Sequence, residues 1–580
     1  MLPGTFVSGV KRMKVNSAVI AALAAALVAA TLHAQVEPAR SDARPLPRLA
    51  EKEGRFALFV DDAPYLVLAA QVRNSSAWPA VFPRLWPTLE YMHVNTVEVP
   101  VYWNQFEPQP GQFDYTLIDM LLSEARKHDV HLVPLWFATW KNGSQHYMPD
   151  WMKLDPVRYA HALDRTGQAV DSPSPFASPS LDADKAAFAA FMRHIKEADP
   201  QRTVIMVQVE NEPGNWNSVR DFSPAAQRVF EAPVPPEVLG AMHAKTASAS
   251  PNWRQAFGPD ADEYFNAWSV ARYVGQVAAA GKAVYPLPLY ANAALRDPFH
   301  SGPPGLPGAP GSYESGGPTD NVLGIWKAEA PAIDILAPDN YQTDPASYLK
   351  VFDLYHRADN PLFVPETGRP YNARFFFTAL GLQAIGFSPS GGNTEGEFKP
   401  DEVSKAREEF LNPWAMNYRL IGPMQREIAL LNFEGKLQAV AEEQGKATET
   451  LKFRSWDAVV SYGTSGRGPA LGNSSPMGRA LVAQLNDNQF LVTGFFCRVD
   501  FRPAATDEQR KSQHIAEGTG QTPSALVEGI WRHRQFVRVE EGTYEDGKFK
   551  FQRMWNGDET DWGLRLGEDP VVLRVTLATY

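Results

Sequence analysis

A single cysteine, Cys497, serves 580 residues, so an internal disulfide is excluded and a packed core must supply the stability. Positive charge is in deficit too: 55 lysines and arginines stand against 66 aspartates and glutamates, a formal net charge of −11, which argues against a nucleic-acid partner. Beyond residue 34 no apolar run reaches the roughly 18 residues that cross a bilayer. The 12 histidines form no spaced set with acids of the kind that binds zinc, so neither a metal nor another cofactor is implied. What remains is ordinary globular composition, 44% hydrophobic and 21% charged, with length for a barrel-sized domain and a second, smaller one.

The N-terminus reads as a leader. Lys11, Arg12 and Lys14 precede an almost unbroken apolar run from Ala18 to Leu32, closed by His33-Ala34-Gln35, which is the pattern of a secretory signal peptide cut near Ala34. The alternative is an N-terminal membrane anchor, for which the run is short. Residues 1–34 are therefore expected to be a signal peptide, and the remainder an exported protein, periplasmic or secreted, with no membrane association after cleavage. Residues 35–54, rich in Pro, Ala and charge, read as a linker.

The stretch Thr203-Val204-Ile205-Met206-Val207-Gln208-Val209-Glu210-Asn211-Glu212-Pro213-Gly214 joins an apolar, β-branched run to acids. Such a run reads as a buried strand, and period-two alternation would put Gln208, Glu210 and Glu212 on one face. Acids at the end of a strand covered on both sides must be solvated in a cleft or paired, so a plain salt-bridged strand end is the competing reading.

Apolar strands alternating with helical or looped returns recur along the chain. Eight are placed at about Tyr65–Val72, Asn95–Val101, His131–Phe137, Val204–Glu210, Pro286–Ala291, Asp334–Pro338, Pro361–Pro365 and Gln383–Phe387, which together suggest a (β/α)8 TIM barrel over residues 55–431. Helical spacing is clearest at Asp114–His128 and Asp182–Glu197, and weaker at Tyr264–Ala280 and Pro345–Arg357. Ser301–Pro318 is too rich in Gly and Pro for a regular element and reads as a long loop over the barrel mouth. From about Asn432 short alternating strands take over, clearest at Arg479–Gln484, Gln489–Cys497, Gln535–Glu540, Lys548–Trp555 and Val571–Leu577. Residues 432–580 thus read as a β-rich accessory domain, a β-sandwich. Its Trp531, Trp555 and Trp562 could form a carbohydrate-binding surface or pack a core.

A second strand-ending acid occurs in Pro361-Leu362-Phe363-Val364-Pro365-Glu366-Thr367-Gly368. Barrel strands converge at their C-terminal ends, so acids ending the fourth and seventh strands can meet across the mouth. Polar and aromatic groups at other strand ends, namely Asn74, Tyr102-Trp103-Asn104, Trp136, Trp140-Lys141-Asn142 and Asn340-Tyr341, are candidates for holding a sugar: amides read hydroxyls and aromatic faces cover C–H surfaces.

Gln208-Val209-Glu210-Asn211-Glu212, with Asn74-Ser75-Ser76 and Trp103-Asn104-Gln105-Phe106-Glu107-Pro108, resembles glycoside hydrolase family 35, the β-galactosidases of the retaining (β/α)8-barrel clan. The resemblance implies that Glu212 is the acid/base, Asn211 the binder of the sugar 2-hydroxyl and Glu366 the nucleophile. It also implies that Tyr341 stands near the nucleophile oxygen. The chain departs from the family in having Pro213 after the acid/base and a shorter β-domain, an architecture similar to bacterial members linked to plant cell-wall oligosaccharides. The resulting expectation is an exo-β-galactosidase acting on oligosaccharides such as xyloglucan side chains. Another β-glycosidase specificity, or a barrel that binds carbohydrate without cleaving it, remain the alternatives.

Overall fold

The computed structural model describes residues 44–300, 307–309, 312–390, 405, 407–463, 469–504, 535–545 and 547–579. The signal-peptide reading and Trp531 therefore lie outside the described residues. The chain divides into two compact units, Met1–Arg44 and Pro45–Tyr580, and everything below belongs to the second. No described helix is long and apolar enough to cross a membrane.

The second unit begins earlier than its composition suggests. Arg48–Lys52, expected to be linker, is a strand paired antiparallel to Arg55–Val60, which in turn pairs with Ala63–Tyr65. Asp61 and Asp62 both take positive φ (54° and 58°), the two-residue turn that short acidic side chains tolerate. What pulls the charged segment into the sheet is backbone pairing with an apolar partner strand.

Eight parallel strands then close into a barrel: Val67–Gln71, Thr96–Tyr102, His131–Lys141, Val207–Asn211, Leu289–Ala294, Ile335–Asn340, Phe363–Thr367 and Gly386–Pro389. The eighth closes on the first through Gly386↔Val67 and Phe387↔Leu68. Closure leaves no edge and covers every strand on both sides, and accordingly all of Thr96–Tyr102 is buried. Gly386 is required here, since a Cβ would stand 2.5 Å from the Val67 Cβ.

The returns Thr116–Lys127, Ser178–Ala198, Ala261–Val284 and Pro345–Tyr355 pack outside the barrel, as their spacing predicts. Among the described residues of the fifth return, the helical part is the short α-helix Leu323–Glu329, led in by the 3-10 turn Asp320–Val322. The long helical stretch before the second domain breaks into Arg407–Leu411, Asn412–Ile421 and Gln425–Phe433, interrupted where Pro413 and Gly422-Pro423 remove donors or relax the backbone.

The C-terminal part is a two-sheet sandwich. Its six-stranded sheet runs Leu437–Ala441, Arg479–Asn486, Gln489–Phe495, Val572–Ala578, Gln535–Glu545, Lys548–Trp555. The four-stranded one runs Thr448–Lys452, Trp456–Tyr462, Cys497–Pro503, Leu564–Leu566. Between the sheets lies a core of its own, built around Trp456, Phe490, Phe501 and Trp555. The other face of the six-stranded sheet packs on the barrel: Leu481, Leu491 and Phe495 join the barrel core, and Gly381 approaches Ala439 so closely that a Cβ would meet its carbonyl oxygen at 2.1 Å. Trp555 is thus a core residue and Trp562 is half-buried in a turn.

Candidate active site

The site is assembled at the C-terminal ends of the barrel strands. Glu212 directly follows the fourth strand and Glu366 lies in the seventh, opposite Asp339 of the sixth in the parallel register. Glu366 is half-buried and both its oxygens accept hydrogen bonds, Oε1 from the Tyr341 hydroxyl at 2.8 Å and Oε2 from Gln71 Nε2 at 2.9 Å. Tyr341 is 41% exposed, so this side of the site is open to solvent. Glu212 is buried; its Oε2 accepts from Asn142 Nδ2, and its backbone N–H donates to Asn292 Oδ1 at 3.0 Å. Asn292 in turn donates to Asp339 Oδ2 at 2.6 Å, and the Asp339 and Glu212 carboxyls hydrogen-bond each other.

Two carboxyls in contact hold a proton between them. Burial first, then the charges of Glu314 and Glu366, pushes Glu212 up to about 8, with Lys141 opposing. Burial and the Glu366 and Glu212 charges carry Asp339 well above the ordinary carboxyl range. Beneath Glu366, Glu98 of the second strand is also raised, by burial and then by the Glu366 charge. It accepts from the Tyr290 hydroxyl at 3.5 Å. The arrangement therefore offers a proton on the Glu212–Asp339 pair beside Glu366, whose two oxygens accept from Tyr341 and Gln71.

Lys141 Nζ donates to Asn211 Oδ1 at 2.8 Å, which orients the amide of Asn211 next to Glu212 and leaves its Nδ2 buried without a partner among the described residues. Of the residues expected from sequence, the structure brings Glu212, Glu366, Asn211, Tyr341, Lys141 and Asn142 together. Asn74 lies exposed in the turn after the first strand.

The remaining expectations need correction. Trp136 is fully buried, gives its indole N–H to Asp184 at 3.0 Å and packs on Phe188 and Phe191 of the outer helix layer. Trp140 meets Tyr273 of helix Ala261–Val284 edge to face, and Trp103 donates to Glu107 at 2.8 Å in the core. Asn340 turns outward to the Tyr348 carbonyl at 3.0 Å. Tyr102 is stacked between Trp78 and Tyr147 and lines a side cavity of about 160 Å³ with Pro79 and Phe106. In a barrel strand alternate residues face the helices, and on a strand apolar throughout the sequence does not say which set does so.

The expected ladder of Gln208, Glu210 and Glu212 is also broken. Glu210 and Glu212 both take positive φ (62° and 44°), and the neighbouring strand bulges between Trp136 and Lys141, so the two glutamates share no partner. Asp339, Asn292, Gln71, Glu98 and Glu314 were missed. A signal existed for Asp339 and Asn292, polar residues near the C-terminal ends of otherwise apolar strands.

Fold and site thus define a (β/α)8 barrel with the Glu212–Asp339 carboxyl pair and a further carboxyl, Glu366, at its mouth, joined to a β-sandwich. The family model described as a domain of unknown function, DUF5597, matches residues 414–567, from the last helices through most of the sandwich. No curated protein matches the chain. Among solved structures, the chain is similar to the catalytic domain of β-amylase from Paenibacillus polymyxa, with 12% identity over 59% of this chain and 97% of that one and a TM-score of 0.42. It is similar to β-galactosidase from Bacillus circulans sp. alkalophilus, with 14% identity, 63% and 57% coverage and a TM-score of 0.43. The exo-β-1,4-mannosidase of Opitutaceae bacterium strain TAV5 shares 15% identity over 67% and 63%, with a TM-score of 0.37.

Proposed function

We propose that the protein is a retaining β-glycosidase, and specifically an exported exo-β-galactosidase of the family 35 type that removes terminal β-galactose from plant cell-wall oligosaccharides such as xyloglucan. The observation that carries this reading is the pairing of Glu212, buried and pushed up to about 8, with Glu366, half-buried and held by Tyr341 and Gln71, at the ends of the fourth and seventh barrel strands. A glycosidase working through a covalent intermediate needs one protonated and one ionised carboxyl on either side of the anomeric carbon.

In this mechanism Glu366 attacks the anomeric carbon while Glu212 gives its proton to the departing oxygen. The glycosyl ester removes the Glu366 charge, so Glu212 becomes easier to deprotonate and takes the proton from the water that releases the sugar. Asn211, whose Oδ1 accepts from Lys141 at 2.8 Å, reads the 2-hydroxyl of the sugar in this scheme. The oligosaccharide is the only partner this chemistry requires, and no metal or other cofactor enters it.

The test is hydrolysis of a panel of 4-nitrophenyl glycosides with the anomer of the first-formed product read by NMR. The β-galactoside should be cleaved fastest, with retention. Preference for another β-glycoside would move the specificity while keeping the mechanism, and absence of hydrolysis across the panel would favour a non-catalytic carbohydrate-binding barrel.

A further inference from the structure

Glu314, on the loop between the fifth and sixth barrel strands, is a carboxyl that the two-glutamate scheme does not use. The chain on either side of it is pinned. The Tyr313 hydroxyl donates to Glu263 Oε1 at 2.8 Å, Ser315 exchanges backbone hydrogen bonds with Asn215 at 2.8 and 3.1 Å, and Trp326 Nε1 donates to the Gly316 carbonyl at 3.1 Å. Between these anchors the Glu314 side chain enters a space kept open by two glycines. A Cβ on Gly143 would stand 2.7 Å from Glu314 Cγ, and one on Gly214 would stand 3.3 Å from Glu314 Cβ and 2.5 Å from the Ser315 oxygen. Both glycines take positive φ (68° and 147°), where a side chain is strained in any case.

These glycines flank Glu212. The N–H of Gly143 donates to the Glu212 carbonyl at 3.0 Å, and Gly214 follows Glu212 by two positions. Glu314 is therefore packed against the backbone on both sides of the acid/base. It is only 4% exposed, and among the described residues its Oε2 has no hydrogen-bond partner and its carboxyl no salt-bridge partner.

We infer that Glu314 is a positioning residue for Glu212: a third carboxyl whose negative charge, delivered by a pinned loop, keeps the acid/base protonated in the range where it must donate. The inference rests on the glycosidase reading above. The charged groups around Glu314 are Lys141 of the third strand, Glu212 just after the fourth and Glu366 of the seventh, with Asp339 of the sixth beside Glu212. Burial raises Glu314 itself to about 7, and once ionised it opposes the ionisation of Glu212, which follows at about 8. Lys141 donates to the Asn211 and Asn142 amides, and its single charge is shared among Glu212, Glu314 and Asp339.

The experiment compares wild type, Glu314→Gln and Glu314→Asp by the pH dependence of kcat/KM on 4-nitrophenyl β-galactoside. In parallel, ¹³C NMR of glutamate-labelled protein follows the Glu212 carboxyl, assigned by its loss in Glu212→Gln. In Glu314→Gln both the alkaline limb and the Glu212 titration should fall by ~1 pH unit, while Glu314→Asp keeps them near wild type. An unmoved Glu212 titration in folded Glu314→Gln overturns the inference, as does an equal displacement in the Asp variant. Should Glu314→Gln fail to fold, Glu314→Met takes its place: it removes the charge at similar volume, so the Glu212 limb must move down, and a limb that stays overturns the proposal. The NMR titration needs no substrate, so failure of the glycosidase reading shows as absent hydrolysis and leaves the Glu314 result standing or falling alone.

Discussion

Glu210 and Glu212 are separated by one residue, and burial raises both carboxyls, yet they belong to different parts of the molecule. Glu210 shares a hydrogen bond with Asp184 of helix Ser178–Ala198 and accepts the Trp140 N–H at 2.7 Å. Asp184 is itself held by Trp136 at 3.0 Å and Thr139 at 2.6 Å. The pair is enclosed, its oxygens committed to the wall between barrel and helices. Glu212 is coupled instead to Asp339, Glu314 and Glu366, and the last of these sits half-buried beside the exposed ring of Tyr341. A raised pKa alone therefore does not identify a reacting group. What separates the two is whether the neighbouring carboxyl is locked by structural donors or faces an opening.

The largest effect should come from the opening's own carboxylate. Glu366→Ala is expected to lose on the order of 10⁴-fold in kcat and to regain turnover with azide, giving a glycosyl azide of inverted configuration. Near wild-type turnover in that variant would remove Glu366 from the mechanism. Glu212→Ala should lose ~10²–10⁴-fold on an oligosaccharide whose leaving group needs protonation. A dinitrophenyl glycoside should still form the intermediate, seen as a burst. Equal losses on both substrates would make Glu212 a structural acid like its neighbour.

Tyr341→Phe removes the donor 2.8 Å from Glu366 Oε1, and a hydrogen bond to a charged group is worth ~1.5–3 kcal/mol, so kcat/KM should drop about 10–100-fold without loss of fold. The smallest change in activity should come from Glu210→Gln, since an amide can accept from Trp140 and donate to Asp184. Its distinctive signature is in stability. The Glu210 carboxyl is raised in the folded state, so its contribution is fully present below the unfolded value near 4.5 and is lost as pH rises toward the folded one. Wild type should therefore lose up to about 1.4 kcal/mol per pH unit over that window from this group, and Glu210→Gln should not. Denaturant unfolding of both proteins between pH 5 and 8 measures the difference, and parallel curves would place the proton elsewhere.

Much of this was legible in the residues, for identifiable reasons. Short apolar runs recurring between helical or looped returns located all eight barrel strands, because a strand covered on both sides has to be apolar along its length. The same property hid the facing of individual side chains. Trp136 and Trp140 lie on an 11-residue strand that bulges against its neighbour, and the register there sends both indoles into the helix layer. At the end of the sixth strand the choice fell on Asn340, which bonds outward to Tyr348, and missed Asp339, which faces Glu212. Glu314 carried no local signal at all, since the Gly/Pro-rich stretch around it shows no periodicity. Its place is set by pairing between Asn215 and Ser315, 100 positions apart in the chain.

The central claim is that Glu366 is the nucleophile of a double displacement and Glu212 its acid/base. Incubation with a 2-deoxy-2-fluoro-β-galactosyl dinitrophenolate, which forms the glycosyl-enzyme readily and releases it slowly, followed by peptide mass spectrometry, tests it most directly. The account predicts one added fluorosugar, carried by the peptide containing Phe363–Thr367 and located on Glu366, with Glu212→Ala still labelled and Glu366→Ala unlabelled. A label on another carboxyl, or a protein that turns over β-galactosides with inversion and takes up no label, would contradict it.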